Sequence, residues 1–264
     1  MHIPHKKLSN GFSMPVYGIG TWTMGGRMQR DLENDDTADI KAIQTAIDAG
    51  VTHIDTAEIY AQGHSEILTG KAIQQYEREK LFLVSKVYSH HMSYDALIQA
   101  CKDSLERLGT PYLDLYLFHR YPKTTLKASI KAMDTLLEEG LIKNIGVSNF
   151  TLAHMQEAQS YTKHKIVATQ VHFNLQYREP EKAGVLNYCQ ENDIMLIAWR
   201  PLQKGIILKE NEILTKLCQK YKKTPAQIAL NWLISQKNVV TLSKTTKIDH
   251  LKENIEAIGW TMES

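Results

Sequence analysis

The sequence is poor in cysteine and in long apolar runs, and each absence excludes a class of protein. Its three cysteines, Cys101, Cys189 and Cys218, are far apart in a chain of 264 residues. Neither a disulfide framework nor a zinc spacing is present, so a reduced, cytoplasmic setting is expected. No apolar run approaches the ~18 residues of a membrane span, and the first residues, MHIPHKKLSNG, lack the apolar core of a signal peptide. We therefore expect no membrane partner.

A strong excess of one charge is also absent. Lysine plus arginine total 31 and aspartate plus glutamate total 29, which gives a formal net charge of +2. This balance argues against a dedicated nucleic-acid-binding protein, which would carry a basic patch. Charged residues at 23% and hydrophobic residues at 43% are close to globular averages. A folded protein that acts on a small molecule is the expected class.

Motifs for metal binding and for the commonest nucleotide-binding fold are missing as well. The 11 histidines are scattered, and neither an H-E-x-x-H motif nor a cysteine pair occurs, so no metal is expected. No G-x-G-x-x-G motif follows a first strand. Its absence disfavours an open, doubly wound nucleotide-binding sheet.

The sequence does contain a regular alternation of short apolar runs and longer segments with helical spacing. Such runs, nearly continuous in apolar character, are typical of parallel strands buried on both faces. Their starts are about 25–45 residues apart, close to the ~30 residues of a βαβ unit. Eight units predict a (β/α)8 barrel formed by residues 1–264 as one domain, with an open doubly wound sheet as the alternative. The eight runs are Val16–Trp22, Thr52–Asp55, Leu81–Val87, Leu113–His119, Asn144–Val147, Val167–Phe173, Ile194–Arg200 and Val239–Ser243.

Local signals support this reading. Amphipathic segments end at Gly50, Gly109 and Gly140, where glycine can close a helix. The run Thr224–Gln227 has the form of a capping box with proline at the first helical position. Near the start, Asn10-Gly11 predicts a hairpin with a type I′ turn that covers the bottom of the barrel.

Polar residues at the carboxyl ends of the predicted strands form a candidate site, because barrel enzymes carry their chemistry there. Asp55, Lys86 and His119 each interrupt or end an apolar run, and Tyr60 follows the second run. Charged residues in such places are rarely buried unpaired, so Asp55 and Lys86 are expected to neutralise each other. A cation near Tyr60 would lower the pKa of the phenol and make it a better proton donor. The alternatives are a buried ion pair without a chemical role, a hydrogen-bonded core histidine and a surface tyrosine.

Eight segments, in order and at these strand ends, resemble the aldo-keto reductase family over nearly the whole chain. They are MPVYGIGTW, HIDTAEIYAQGHSE, LFLVSKV, LDLYLFH, GLIKNIGVSNF, ATQVHFNLQY, IAWRPL and TLSKTTKIDHLKEN. The resemblance implies a (β/α)8 barrel that reduces aldehydes or ketones with a nicotinamide cofactor, NADPH preferred and NADH possible. It also implies a catalytic tetrad, with Tyr60 as proton donor, Lys86 and Asp55 tuning it, and His119 orienting the carbonyl.

The resemblance further implies a set of cofactor-binding residues. Ser148, Asn149 and Gln170 match positions that hold the nicotinamide carboxamide, and Trp199 matches an aromatic residue stacked on its ring. The remaining matching positions are Gly20 and Thr21 near the cofactor, Leu202 and Lys204 in the pyrophosphate loop, Lys244 and Thr245 around the 2′-phosphate, His250 where an arginine is frequent, and Glu253 and Asn254 at the adenine.

Several residues depart from the family pattern. Arg200 replaces a small polar residue, Gln203 stands where glycine is common, and Ser243 replaces a frequent proline. Ala61 follows Tyr60 in place of the usual glycine. None of these departures removes a member of the tetrad, so the predicted reaction class is unaffected.

Trp22, Ile59, Tyr88, His119 and Arg120 are the expected substrate contacts. The segment after Arg120 and the stretch after the last helix are both short, which predicts an open pocket for small or aromatic aldehydes and dicarbonyls. Arg120 is expected either to point inward and favour carboxylate-bearing carbonyls, or to point outward and pair with a surface acid.

Two other functions compete with carbonyl reduction. Lys86 at a strand end could instead form a Schiff base, as in a lysine-dependent aldolase, although a neighbouring Asp55 would keep it charged. A non-catalytic, cofactor-sensing subunit is the second alternative. The complete tetrad argues against that role.

Overall fold

The computed structural model describes residues 3–122, 125–208 and 212–263. Eight parallel strands close into a barrel, because the last strand pairs with the first one of the barrel. The (β/α)8 prediction is therefore confirmed, and the open doubly wound sheet is excluded. The barrel strands are β3 (Tyr17–Gly20), β4 (His53–Asp55), β5 (Phe82–Val87), β6 (Leu115–Phe118), β7 (Ile145–Ser148), β8 (Ile166–His172), β9 (Met195–Trp199) and β10 (Val239–Ser243).

Helices follow the strands and form the outer layer. In chain order they are α1 (Asp36–Asp48), α2 (His64–Ile73), α3 (Tyr94–Leu108), α4 (Leu126–Glu138), α5 (Leu152–Ser160), α6 (Glu179–Lys182), α7 (Val185–Glu191), α8 (Glu212–Tyr221), α9 (Pro225–Ser235) and α10 (Ile248–Ile255). Gly109 closes α3 with a φ of 62°, a conformation that glycine adopts without steric cost. Thr224 and Gln227 form the predicted capping box at the start of α9. Within the described ranges, no helix has the length and apolar character required to cross a bilayer.

An antiparallel hairpin, β1 (His5–Lys7) and β2 (Ser13–Pro15), precedes the barrel. The predicted type I′ turn is wrong, because Lys7 pairs with Ser13 and five residues connect the strands. Only Gly11 has a positive φ, whereas a type I′ turn needs two such residues. The Asn10 side chain instead accepts a hydrogen bond from the Phe12 backbone N–H. This longer turn lets Phe12 fold inward.

The core has two parts on either side of the strands. Leu8, Phe12 and Met14 of the hairpin are buried together with barrel-interior residues such as Val84 and Leu115. The hairpin therefore covers the bottom of the barrel, as predicted. A larger cluster lies between the strands and the helices. With one end covered, the carboxyl ends of the strands form the open mouth in which polar groups can meet a ligand.

Candidate active site

A buried lysine joins two strands and the loop that follows them. Lys86 on β5 is completely buried, and its Nζ donates to Oδ1 of Asp55 on β4 at 2.5 Å. The same nitrogen donates to the backbone oxygen of Thr56 at 2.8 Å and to the Tyr60 hydroxyl oxygen at 3.4 Å. The structure thus brings together three of the predicted tetrad residues around one ammonium group.

Burial and pairing fix the charge states of these groups. Burial acts to lower the pKa of Lys86, but the Asp55 carboxylate and the Tyr60 oxygen outweigh it and raise the pKa above its ordinary value. Burial also raises the pKa of Tyr60, although the Lys86 ammonium opposes that rise. The Lys86 ammonium acts on the Tyr60 pKa in the predicted direction, but desolvation of the phenolate is larger, so the net pKa is raised. Tyr60 is a neutral phenol next to a cation at neutral pH.

His119 follows β6 and completes the tetrad. Its ring stands edge-on to the Tyr60 ring, with centroids 5.7 Å apart. Burial, Lys86 and Arg120 together lower the pKa of His119 to about 3, so the imidazole is neutral at physiological pH. Its Nδ1 is buried without a hydrogen-bond partner in the described part of the chain. The neutral ring carries a single N–H, which Nε2 can present to a ligand.

Three amide- and hydroxyl-bearing residues at the ends of β7 and β8 connect to this group. Gln170 is buried, and its Nε2 donates to Oδ2 of Asp55 at 2.7 Å. Ser148 donates to the Gln170 backbone oxygen at 2.9 Å, and Asn149 donates to Ser148 Oγ at 3.0 Å and to the His119 backbone oxygen at 3.2 Å. The side-chain oxygens of Gln170 and Asn149 accept no hydrogen bond from any described residue. These two oxygens can accept from a primary amide.

The loop that carries Tyr60 is a tight left-handed turn. Ala61, Gln62 and Gly63 have φ angles of 49°, 56° and 86°. Ala61 is completely buried, and its N–H donates to the Arg27 backbone oxygen at 2.6 Å. A left-handed alanine costs about 1–2 kcal/mol relative to the right-handed form. Contacts with the neighbouring loop, such as the hydrogen bond to Arg27, therefore stabilise alanine in a conformation that glycine usually adopts.

Sequence reasoning missed Glu58, which ties this loop to the next one. The Glu58 side chain is 6% exposed, and its carboxylate accepts from the Tyr88 backbone N–H at 2.5 Å and contacts Nδ1 of His91 at 3.0 Å. The available signal was an acidic residue between Asp55 and Tyr60 on an otherwise apolar run. Glu58 therefore holds the start of the loop that carries Tyr88 next to the loop that carries Tyr60.

Aromatic side chains contact Tyr60 and His119. The Trp22 and Tyr60 ring centroids are 4.9 Å apart, and those of Tyr88 and His119 are 5.5 Å apart. Ile59 is half-buried beside Tyr60. The structure therefore brings Trp22 and Tyr88 to the tetrad, while Ile59 is the sequence neighbour of Tyr60. Arg120 is exposed, and no described carboxylate lies within ion-pair distance of it.

Trp199 ends β9 and belongs to an aromatic stack. Its ring lies parallel to His172 at 4.5 Å between centroids, and His172 stacks in turn on Tyr177 at 4.1 Å. Nε2 of His172 is 2.9 Å from Oε1 of Gln203, whose φ of 45° is in the region that favours glycine. Leu202 is half-buried in the same turn. The side chain of Lys204 lies outside the part of the structure that is described.

The remaining predicted cofactor residues lie at two other places. Gly20 ends β3, and Thr21 is completely buried with its hydroxyl hydrogen-bonded to the Asp55 backbone oxygen and to Ser65. Beyond β10, Lys244 and His250 are exposed, while Thr245 and Glu253 are half-buried.

Asn254 is held inside the structure in this region. Its side chain is buried, and its Nδ2 donates to Ser243 Oγ at 3.1 Å. This hydrogen bond joins α10 to β10, and the role of Asn254 at the adenine stays a prediction. The exposed cations are the groups of this region that can meet a phosphate.

The arrangement can donate a proton from Tyr60 and stabilise the negative charge left behind. The donor is a neutral phenol, the charge it leaves is adjacent to an ammonium, and a neutral imidazole offers a second donor. Amide oxygens, a flat aromatic ring and distal cations at the same barrel mouth suit a nicotinamide nucleotide. In the described residues, no group of three or more His, Cys, Asp or Glu side chains could hold a metal ion.

Comparison with known proteins gives concordant matches. A family model described as "Aldo/keto reductase family" matches residues 17–263. The chain is 36% identical to methylglyoxal reductase YeaE of Escherichia coli, covering 98% of this chain and 90% of that protein. It is also 36% identical to glyoxal reductase of Bacillus subtilis, with coverage of 97% and 87%. A crystal structure of an aldo-keto reductase from Klebsiella pneumoniae in complex with NADPH superposes with a TM-score of 0.88 at 32% identity, covering 100% of this chain and 92% of that one.

Proposed function

The chain belongs to the aldo/keto reductase family and is an NADP-dependent oxidoreductase that reduces carbonyl groups; within that activity we propose that it acts on small aldehydes and α-dicarbonyl compounds, with Tyr60 as the proton donor. Two relatives at 36% identity support this substrate class, since one is named methylglyoxal reductase and the other glyoxal reductase. The single observation that carries the assignment is the Lys86 ammonium, which contacts both Asp55 and the Tyr60 hydroxyl.

Each member of the tetrad has a separate task. NADPH, when bound, supplies the hydride that adds to the carbonyl carbon. Tyr60 gives its hydroxyl proton to the carbonyl oxygen, and Lys86 stabilises the resulting phenolate at 3.4 Å. Asp55 keeps Lys86 charged. His119, neutral because its pKa is about 3, donates from Nε2 to the carbonyl oxygen and fixes its direction toward Tyr60.

The cofactor is assigned to residues that span the barrel mouth. The free side-chain oxygens of Gln170 and Asn149 suit the nicotinamide amide, and Trp199 offers a flat face for the ring. The exposed Lys244 and His250 suit the 2′-phosphate, which distinguishes NADPH from NADH. The bound NADPH in the Klebsiella pneumoniae relative supports this choice of cofactor.

The substrate proposal is tested by following NADPH oxidation at 340 nm with methylglyoxal, glyoxal, benzaldehyde and a steroid ketone, and again with NADH. The proposal expects turnover of the small aldehydes and dicarbonyls, weaker use of the steroid, and a lower KM for NADPH than for NADH. Turnover restricted to the steroid ketone would contradict it.

The aldolase alternative is disfavoured by the state of Lys86. A Schiff-base lysine needs a neutral amine, whereas Lys86 is an ammonium that donates to Asp55 and Thr56 and has a raised pKa. Borohydride trapping in the presence of a carbonyl substrate should therefore yield no adduct.

We further propose that residues 1–264 act as one domain in the cytoplasm, where the free thiols of Cys101, Cys189 and Cys218 would stay reduced.

A further inference from the structure

A cavity of about 570 Å³ lies between the loop after β5 and the loop after β6. The first loop contributes Ser89, His90 and Ser93 to its lining, and the second contributes Arg120 and Tyr121. These loops begin directly after Tyr88 and His119, which belong to the site described above. The cavity is therefore the side of the barrel mouth that adjoins the catalytic group.

The Tyr88 ring lies between the cavity and the catalytic group. The Tyr88 ring stands edge-on to His119 at 5.5 Å and to His90 at 5.2 Å. His119 and Arg120 are consecutive residues, so their Cα atoms are about 3.8 Å apart. A substrate whose carbonyl lies at Tyr60 and His119 has its other end on the side of Arg120 when it extends past the Tyr88 ring.

The charge of this cavity is carried by Arg120. Among the described residues that line it, Arg120 is the one whose side chain is positively charged at every physiological pH. No carboxylate of the described chain lies within ion-pair distance of it. Its charge also reaches the reacting centre, because Arg120 contributes to the lowered pKa of His119.

We propose that Arg120 is a specificity-determining residue that selects aldehydes bearing a carboxylate at the end remote from the carbonyl. This inference rests on the proposed function and deepens it. A guanidinium matches a carboxylate with two parallel hydrogen bonds, and one cation balances one carboxylate charge. The hydroxyls of Ser89 and Ser93, which line the same cavity, can donate to the remaining lone pairs of the two carboxylate oxygens.

The test compares kcat/KM for 4-carboxybenzaldehyde and benzaldehyde with NADPH, in wild-type enzyme and in Arg120→Gln, Arg120→Lys and Arg120→Glu. We expect the wild-type ratio to favour the carboxylate by about tenfold at low salt and to decrease at 0.5 M NaCl, because exposed charges are screened. In Arg120→Gln the ratio should fall to about one and lose its salt dependence. Arg120→Lys should restore part of it, and Arg120→Glu should reverse the preference.

Lys102→Gln is the matched control, since Lys102 is an exposed cation on α3 and its loss changes the net charge equally. Its ratio should equal that of wild type. A wild-type ratio near one, or an equal ratio in wild type and Arg120→Gln, would overturn the role of Arg120 while leaving the reductase assignment in place. A wild-type enzyme that reduces methylglyoxal but neither benzaldehyde would overturn this inference alone. One that reduces none of the three would overturn the proposed function, and this inference with it.

Discussion

Gln170 donates to Asp55 across the barrel: its Nε2 lies 2.7 Å from Oδ2, while the other oxygen of the same carboxylate accepts from Lys86 at 2.5 Å. Both carboxylate oxygens are thus fixed by donors from different strands. Because Asp55 in turn holds Lys86, the position of the ammonium next to Tyr60 depends on Gln170. The side-chain oxygen of Gln170 accepts no hydrogen bond from a described residue, so it can accept one from a bound ligand.

Replacing Gln170 with leucine should therefore impair turnover. Gln170→Leu keeps the approximate volume but removes the donor to Asp55, so Lys86 is held less firmly. We expect kcat at saturating NADPH to fall about tenfold, which corresponds to about 1.4 kcal/mol of lost transition-state stabilisation. Steady-state kinetics with methylglyoxal measure this, and an unchanged kcat would show that Lys86 is positioned without Gln170.

Thr169→Val is the matched control on the same strand. Thr169 points to the opposite face, is completely buried, and its Oγ1 has no hydrogen-bond partner in the described chain. The change should leave kcat unchanged and raise the free energy of unfolding by about 1 kcal/mol, because an unpaired buried hydroxyl is removed. Urea denaturation measures the second effect, and a loss of stability would mean that the hydroxyl is hydrogen-bonded in solution.

Much of this architecture is predictable from the sequence, because barrel strands buried on both faces leave a plain apolar signal. Val239–Ser243 was predicted with its observed bounds, and the other strands differ by one or two residues at their ends. The type of the turn at Asn10-Gly11 could not be predicted, because local residue preference does not reveal that Phe12 must reach the barrel interior. At Tyr60, burial raises the pKa more than the Lys86 ammonium lowers it, and the sequence alone does not show how deeply the side chain is buried. The link from Gln170 to Asp55 joins residues 115 positions apart, and only the closed barrel brings them together.

A buried histidine at the other end of the barrel should make stability sensitive to acid. His53 is completely buried, and neither ring nitrogen has a partner among the described residues. Burial lowers its pKa to about 4. Because the unfolded chain binds a proton at about 6.5, its contribution to stability is full above that pH and is lost between pH 6.5 and 4.

His53→Met removes this titration at similar volume. Between pH 7 and pH 4.5, His53 should account for about 2–3 kcal/mol of the decrease in the free energy of unfolding of wild type, at about 1.4 kcal/mol for each pKa unit. This part of the decrease should be absent in the variant. Urea denaturation at both pH values tests this. Identical pH dependence in the two proteins would place His53 in contact with water.

Lys244 should discriminate between the two nicotinamide cofactors. It is exposed after β10, where a cation can pair with a 2′-phosphate. Lys244→Ala should weaken NADPH binding about tenfold and leave NADH binding almost unchanged, as measured by quenching of tryptophan fluorescence. Lys7→Ala, which removes an exposed cation at the bottom of the barrel, should affect neither cofactor. Equal losses for NADPH and NADH in Lys244→Ala would contradict the assignment.

The most direct measurement of the central claim is the turnover of Tyr60→Phe at saturating NADPH and methylglyoxal. The variant keeps the ring that packs against Trp22 and His119 but has no proton to donate. We predict that kcat falls by at least ~10²-fold, the usual contribution of a general acid, while the Kd for NADPH changes by less than about twofold. A kcat close to that of wild type, in a variant that binds NADPH normally, would contradict the assignment of Tyr60 as the proton donor.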